Sequence, residues 1–175
     1  MIVGELVILR SPIQTDEEFL YQVRNNFAMQ KLLLALPRAN SMQRVKDWFE
    51  QVMDDTQSIF FVAALPEINQ PVGFIQIRQM NFIHGTGALG IFIDASAQGK
   101  GIASEMISLF ENYVRGTFNL RKITLEVLAD NLRAVRFYEK LNFIKVGILT
   151  KHFYNEGEYH NVLIMEKILI DKSER

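Results

Sequence analysis

A glycine-rich segment that leads from a predicted strand into an amphipathic helix constrains this chain more than any other feature. It comprises residues 98–104, with the sequence QGKGIAS, and apolar side chains recur at helical spacing over residues 101–115. The first amides of a helix have no acceptor within the helix, and the helix dipole favours an anion there. Gly99 and Gly101 have no Cβ atom to keep a phosphate away, and Lys100 adds a positive charge. The segment therefore predicts an anion-binding turn, with a plain strand-to-helix turn as the alternative.

A second glycine pattern, Gly85–Gly90, matches the GxGxxG spacing of dinucleotide-binding sites. That motif needs a helix that begins at its glycines, so that the helix N-terminus faces the diphosphate. Residues 91–94 (IFID) are instead typical of a strand. We therefore predict a hairpin turn at Gly85–Gly90, and the alternative is an NAD-dependent oxidoreductase that uses this segment.

The remaining periodicities predict one mixed α/β domain over residues 1–175, with hairpins early and strand–helix–strand units late. The predicted strands are Gly4–Arg10, Ser58–Leu65, Pro71–Met80, Thr86–Asp94, Arg121–Ala129, Phe143–Thr150 and Glu158–Leu169. Helices are predicted around Phe19, Leu20, Val23 and Phe27, after Ser41, over Gly101–Arg115 and over Asn131–Leu141.

The composition excludes several function classes. The absence of cysteine rules out a disulfide framework, a thiolate nucleophile and cysteine-ligated zinc or iron–sulfur sites. A net charge of −1 argues against a general nucleic-acid binder. The longest apolar run, Ile59–Leu65, is too short to span a membrane, and no secretory signal pattern opens the chain. We expect a cytoplasmic protein with no metal, no nucleic-acid partner and no membrane partner.

Residues 98–143 as a whole resemble the GNAT superfamily of acyl-CoA-dependent N-acyltransferases. The pattern [QR]-x-x-G-x-[GA] is matched at Gln98, Gly101 and Ala103, and N-x-x-A-x-x-x-Y-[EQ]-x-x-G-F at Asn131, Ala134, Tyr138 and Phe143. The resemblance implies a single domain with a central, mostly antiparallel sheet of about seven strands flanked by about four helices. It also implies acetyl-CoA as co-substrate, without a metal.

Two further segments are similar to the branch that includes the ribosomal-protein-alanine acetyltransferases. These are the pair Leu9-Arg10 followed by Val23-Arg24-Asn25, and the closing hairpin that contains Tyr154–Tyr159. Asn142 stands where the family has glycine, and asparagine tolerates the left-handed conformation that this turn needs. Asn161 stands where the branch often has aspartate.

The resemblance assigns the acyl-donor site. Strand residues Ile91, Phe92 and Ile93 would offer backbone groups to the pantetheine arm. The diphosphate would lie on Gln98, Gly99, Lys100, Gly101, Ile102, Ala103 and Ser104. Asn131 would cap its helix and contact the same arm, while Arg133 and Lys140 would attract the 3′-phosphate or form a solvated basic face.

Tyr138 is the expected general acid toward the coenzyme A sulfur, with core packing as the alternative, because a neutral phenol can donate a proton to a thiolate. The expected acceptor is a primary amine on a protein N-terminus, a polyamine or an amino sugar. Arg24, Glu126 and Tyr154 are the substrate-site candidates. The amine proton has several candidate acceptors, which are Glu126, His84, His152, Glu158, His160 and a water relay. The alternative function is a non-catalytic acyl-CoA-binding or sensing module. A homodimer through the late strands is a possible assembly.

Overall fold

Eight strands form one sheet in the computed structural model, which describes residues 1–169. The strands are β1 Ile2–Val3, β2 Ile8–Arg10, β3 Ile59–Ala64, β4 Pro71–Asn81, β5 Thr86–Ile93, β6 Lys122–Leu128, β7 Ile144–Asn155 and β8 Glu158–Ile168. The α-helices are α1 Glu17–Asn25, α2 Phe27–Leu32, α3 Met42–Asp54, α4 Ile102–Phe118 and α5 Leu132–Lys140.

The strand order is β1-β2-β3-β4-β5-β6-β8-β7, and every neighbouring pair is antiparallel except β5 with β6. The predicted mixed α/β fold is confirmed, with one more strand and one more helix than expected. Among residues 1–169, no helix combines the length and the hydropathy needed to cross a membrane.

Two apolar clusters cover the two faces of the sheet. On one face, Phe60, Phe74 and Phe92 pack with buried residues of α1 and α3, such as Leu20 and Val45. On the other face, α4 and α5 bury a larger cluster that includes Met106, Phe110, Ile123, Val135 and Phe143. We call these the α1/α3 face and the α4/α5 face. Residues that alternate along a strand therefore point to different helices.

The predicted strand Gly4–Arg10 is wrong in its first half, because a side chain takes the backbone amides that a strand would use. The Glu105 carboxylate, in the first turn of α4, accepts hydrogen bonds from the amides of Glu5 and Leu6, both at 2.8 Å, and of Val7 at 3.0 Å. The chain bends there, and the strand starts at Ile8.

The single helix predicted through Phe27 is divided in two. α1 ends at Asn25, and the Asn26 side chain accepts a hydrogen bond from the Met29 amide at 3.2 Å and so caps α2. Phe27 is 56% exposed, so its fit to the apolar spacing of α1 was misleading.

Two turn predictions are confirmed. Gly85 has a φ of +61° in the turn between β4 and β5. The residues that follow it form strand β5, whereas a dinucleotide-binding motif would need a helix there. Asn142 adopts a φ of +67° between α5 and β7, which is the left-handed conformation expected of it. The dinucleotide-site alternative at Gly85–Gly90 lacks the helix on which it depends.

A buried ion pair joins β2 to the beginning of α1. The Arg10 guanidinium donates to both carboxylate oxygens of Asp16, at 2.7 and 3.0 Å, and the Asp16 side chain is 1% exposed. Asp16 also accepts from the Ile13 amide at 2.8 Å. The pair therefore fixes where the α1–α3 layer begins relative to the sheet.

We expect Asp16→Ala to lower the free energy of unfolding by about 3–5 kcal/mol, because the substitution leaves a buried guanidinium without its counter-charge. The matched control is Glu17→Ala, the neighbouring carboxylate, whose ion pair with Lys46 is exposed and is worth about 1 kcal/mol or less. Urea unfolding of both variants measures the difference, and equal losses would contradict the role given to Asp16.

Candidate active site

A gap opens in the sheet between β5 and β6. The two parallel strands are in register only from Thr86 with Lys122 to Ala88 with Thr124. Beyond that point β5 continues to pair with β4, and β6 continues to pair with β8. Residues 89–93 therefore keep one backbone edge that faces the gap. Ile91 and Ile93, two of the three residues expected along the pantetheine arm, direct their backbone groups to this edge, whereas Phe92 exchanges its backbone hydrogen bonds with Phe74 on β4.

The turn between β5 and α4 presents a set of unpaired amides. Gly99 and Gly101 have φ values of +77° and +82°, a conformation that glycine adopts without strain. Within residues 1–169, no hydrogen bond occupies the backbone amides of Gly99, Lys100, Gly101, Ile102 or Ala103. These donors lie at the positive end of a 17-residue helix, which is the geometry that binds a phosphate.

Two of the residues expected in this cradle have other partners. The Ser104 amide donates to the Gly101 carbonyl at 3.0 Å, and the Gln98 amide donates to the Ala95 carbonyl at 3.3 Å. The Gln98 side chain donates to the Ile93 carbonyl at 3.2 Å, so it holds the end of β5 against the turn. The cradle is therefore narrower than the predicted Gln98–Ser104 segment and comprises the five amides from Gly99 to Ala103.

The Asp94 carboxylate stabilises the approach to this turn. It accepts hydrogen bonds from the Ser96 hydroxyl and from the Ser96 amide, which hold the pKa of the Asp94 carboxyl below its usual range. The Asp94 amide donates to the Val72 carbonyl on β4 at 2.8 Å. The short 3-10 helix Ala95–Ala97 is thus fixed to the sheet immediately before the glycines.

Helix α5 begins with Asn131, whose side chain accepts from the Ala134 amide at 3.2 Å. This bond establishes the capping role of Asn131. Arg133 and Lys140 are exposed on the same helix, and neither forms an ion pair with any residue of the described 1–169. Both side chains therefore remain available to an external anion.

Tyr138 projects from α5 on the α4/α5 face of the sheet. Its ring lies 5.6 Å from that of Phe143 and 5.4 Å from that of Phe137, measured between centroids. Burial raises the pKa of the Tyr138 phenol to about 12. The phenol is consequently neutral throughout the physiological pH range and can donate a hydrogen bond.

Glu126 lies on the opposite face of the gap. The β5–β6 register aligns Thr124 with Ala88, and alternation then turns Glu126 toward the same face as Phe92, which packs on α1 and α3. The Glu126 side chain is exposed. Tyr138 and the Glu126 carboxylate thus lie on opposite faces of the sheet.

A cavity of about 490 Å³ lies between α1, α2, α3 and β4. Arg24 lines this cavity together with Trp48 and Phe74. Phe74 stacks on Phe92 of β5 at 5.5 Å, so the cavity is one strand away from the gap. We call it the α1–α3 cavity.

Buried amide side chains hold the α1–α3 cavity together. Gln30 donates to the carbonyls of Arg24 and Arg38, and its own oxygen accepts from the Arg38 amide at 2.8 Å. Asn40 donates to the same two carbonyls at 2.7 and 3.1 Å, and its amide donates to the Asn25 side chain at 2.7 Å. The Arg24-Asn25 pair noted in the sequence is therefore both cavity lining and loop anchor.

Two other candidates lie at the β7–β8 end of the sheet. Tyr154 is 57% exposed and packs only on Tyr159 among the aromatic rings of residues 1–169, with centroids 5.0 Å apart. His160 Nδ1 lies 2.9 Å from the Asp130 carboxylate, next to the start of α5. Sequence reasoning named His160 among possible bases but missed Asp130, since only the β6–β8 register brings the two together.

A model of the Acetyltransferase (GNAT) family matches residues 25–143, more than half of the chain. The chain belongs to the GNAT acetyltransferase family. The expectation drawn from the two motifs is confirmed, because this membership makes the protein an N-acetyltransferase with acetyl-CoA as its acyl donor. The five free amides beside the gap fit that donor.

Individual relatives agree with the family assignment. The spermidine N(1)-acetyltransferase of Vibrio cholerae is 27% identical over 169 residues, which cover 95% of this chain and 96% of that protein. An N-alpha-acetyltransferase of Saccharolobus solfataricus is 34% identical over 87 residues, 49% of this chain and 52% of that protein. The ribosomal-protein-alanine branch stays a prediction.

Solved structures share this fold. A crystal structure of the V. cholerae spermidine N-acetyltransferase in complex with CoA and spermine has a TM-score of 0.88 and 26% identity, covering 95% of this chain and 97% of that chain. Another structure of the V. cholerae enzyme is described as dodecameric and has a TM-score of 0.80.

Proposed function

We propose that the protein transfers the acetyl group of acetyl-CoA to a primary amine by direct attack, with Tyr138 as the general acid. The observation that carries this proposal is the juxtaposition of free amides with the open edge of β5. The amides of Gly99–Ala103 hold the diphosphate, and the gap-facing backbone groups of Ile91 and Ile93 pair with the pantetheine arm. Such positioning converts a bimolecular reaction into a local one.

The bonds exchanged in this reaction balance without a metal. The amine nitrogen attacks the thioester carbonyl, a C–N bond forms and the C–S bond breaks. The leaving sulfur takes a proton from the Tyr138 phenol, which recovers a proton from solvent. The ammonium group loses its protons to a base on the other side of the gap.

Two groups are candidates for the amine proton. Glu126 is exposed on the α1/α3 face of the gap, where an acceptor approaches from the side opposite Tyr138. The imidazole of His160 is oriented by Asp130, which leaves Nε2 free as an acceptor when the ring is neutral. We assign the first step to Glu126, because it lies on the strand that borders the gap and its exposed side chain can pass the proton to solvent.

The raised pKa of Tyr138 determines how it acts. An unperturbed thiol has a pKa of about 8.5, so proton transfer to the thiolate from a phenol with a pKa of about 12 is unfavourable even after the C–S bond breaks, and it is completed only as solvent reprotonates the phenolate. Tyr138 therefore donates a hydrogen bond to the sulfur as negative charge develops there. Because burial raises the pKa of Tyr138 to about 12, the phenol stays protonated at lower pH, and deprotonation of Tyr138 does not reduce the rate in that range.

The names of the V. cholerae relative and its Escherichia coli counterpart support a polyamine acceptor. The partial match to an N-alpha-acetyltransferase supports a protein N-terminus. Both acceptors are primary amines, which is the feature that the gap requires. Tyr154 on the β7–β8 hairpin and Arg24 in the α1–α3 cavity remain the substrate-side candidates. The cytoplasmic location also stays a prediction.

A homodimer or larger assembly stays a prediction as well. β7 is the terminal strand of the sheet, and it exposes Ile144, Val146 and Ile148. An apolar terminal strand is a site where a second chain can add. The dodecameric form of the V. cholerae enzyme supports self-association.

Replacing Tyr138 with phenylalanine removes only the hydroxyl, and we expect kcat to fall about 10²–10⁴-fold with the KM for acetyl-CoA almost unchanged. Tyr113→Phe is the matched control, since this α4 tyrosine packs on Phe61 and Phe118 away from the gap. Thiol release measured between pH 6 and 10 also tests the pKa, because the wild type must show no alkaline loss due to Tyr138 there. A Tyr138→Phe enzyme with unchanged kcat would remove the assigned role.

The 3′-phosphate contact is tested by comparing coenzyme A with dephospho-coenzyme A in thermal-shift titrations. We expect both ligands to stabilise the protein, because both carry the diphosphate, and coenzyme A to bind about tenfold more tightly. The double substitution Arg133→Gln/Lys140→Gln should abolish this preference, while Arg121→Gln, at the far end of β6, should not. A preference that survives the double substitution would place the 3′-phosphate elsewhere.

A further inference from the structure

The α1–α3 cavity carries more positive charge than its own residues neutralise. Its lining contains Arg24, Arg38 and Arg44 but only one carboxylate, Asp47. Asp47 already accepts a hydrogen bond from Gln43 at 2.8 Å. None of the three arginines forms an ion pair within residues 1–169. A cavity with this balance attracts anions and repels a polycation.

Arg24 is the most constrained of the three. Its guanidinium stacks on the Trp48 ring at 4.1 Å, which fixes its plane inside the cavity. Burial lowers the pKa of Arg24, and the nearby charges of Arg38 and Arg44 lower it further. The Nε atom is buried and has no hydrogen-bond partner among the described residues. The guanidinium is thus held against Trp48 with its charge unpaired among the described residues, which leaves its positive charge for an anion in the cavity.

The surrounding backbone does not supply an acceptor for the Arg24 Nε atom. The carbonyls of Arg24 and Arg38 accept hydrogen bonds from the side chains of Gln30 and Asn40. The Asn40 side-chain oxygen, which also lines the cavity, is itself buried without a donor in the described part of the chain. The positive charge of the three arginines is therefore left for an anionic group that enters the cavity.

We propose that the α1–α3 cavity binds the negatively charged group, a carboxylate or a phosphate ester, of the amine that this enzyme acetylates. The inference rests on the proposed function, and it names the acceptor as an amine that also carries an anionic group, unlike a polyamine. Phe74 lines the cavity and stacks on Phe92 of β5, so a small acceptor held there by its anionic group extends its amine toward the gap.

The test compares pairs of amines that differ by one anionic group. Lysine is cadaverine with an added carboxylate, and glucosamine 6-phosphate is glucosamine with an added phosphate. We expect the anionic member of at least one pair to have a kcat/KM at least about tenfold higher than its partner, and the pair concerned identifies the group. Equal or higher kcat/KM for spermidine and for both partners that lack the anionic group would overturn the inference while leaving the acetyltransferase function intact.

Variants of the cavity locate the effect. Arg38→Gln and Arg44→Gln should each raise the KM for the preferred anionic amine about tenfold, with kcat and the KM for acetyl-CoA unchanged. Arg121→Gln removes the same charge at the opposite end of the sheet and should change none of these constants. An anionic preference that persists in both cavity variants would contradict the assignment.

An optical measurement separates this inference from the proposed function. Trp48 is the only tryptophan in the chain, and it lies in the cavity against Arg24. Inorganic phosphate and acetate, titrated into protein already saturated with coenzyme A, should change the Trp48 fluorescence saturably, and Arg38→Gln should weaken that binding. Anion binding without turnover of any amine would refute the acetyl-transfer proposal alone, whereas turnover without an anion-dependent change would refute the cavity assignment.

Discussion

Five backbone amides at the beginning of α4, which have no acceptor within residues 1–169, are the constraint on which the rest of the site depends. Gly99 and Gly101 adopt the positive φ values that this turn needs. The Glu105 carboxylate, in the first turn of α4, accepts hydrogen bonds from the amides of residues 5–7 and so holds α4 against that segment. Free helix-terminal donors are stable when they face solvent or an anion. A diphosphate bound there fixes one end of the acyl donor relative to the sheet.

The sheet then determines where the other end can react. β5 leaves β6 after Ala88, and this separation gives the donor a backbone edge and gives the acceptor an opening. Tyr138 and Glu126 lie on opposite faces of the sheet, which separates the proposed acid from the proposed base. Burial raises the pKa of the Tyr138 phenol to about 12, so the phenol keeps its proton at neutral pH.

Sequence reasoning found the elements whose chemistry is local. The QGKGIAS turn, the cap at Asn131 and the left-handed Asn142 each follow from residue type and immediate neighbours. Residues joined only by tertiary contacts were missed. Glu105 interrupts a predicted strand that lies about a hundred positions away in the sequence. Arg38 and Arg44 come to line one cavity with Arg24 only in the folded chain, where Gln30 and Asn40 bond to the carbonyls of Arg24 and Arg38. Periodicity cannot report such contacts.

A crystal structure of the protein with coenzyme A tests the central claim most directly. We predict diphosphate oxygens about 2.7–3.2 Å from the amides of Gly99–Ala103, the pantetheine arm paired with Ile91 and Ile93, and the sulfur within about 3.5 Å of the Tyr138 hydroxyl. A diphosphate bound away from the α4 N-terminus, or a Tyr138 hydroxyl directed away from the sulfur, would contradict it.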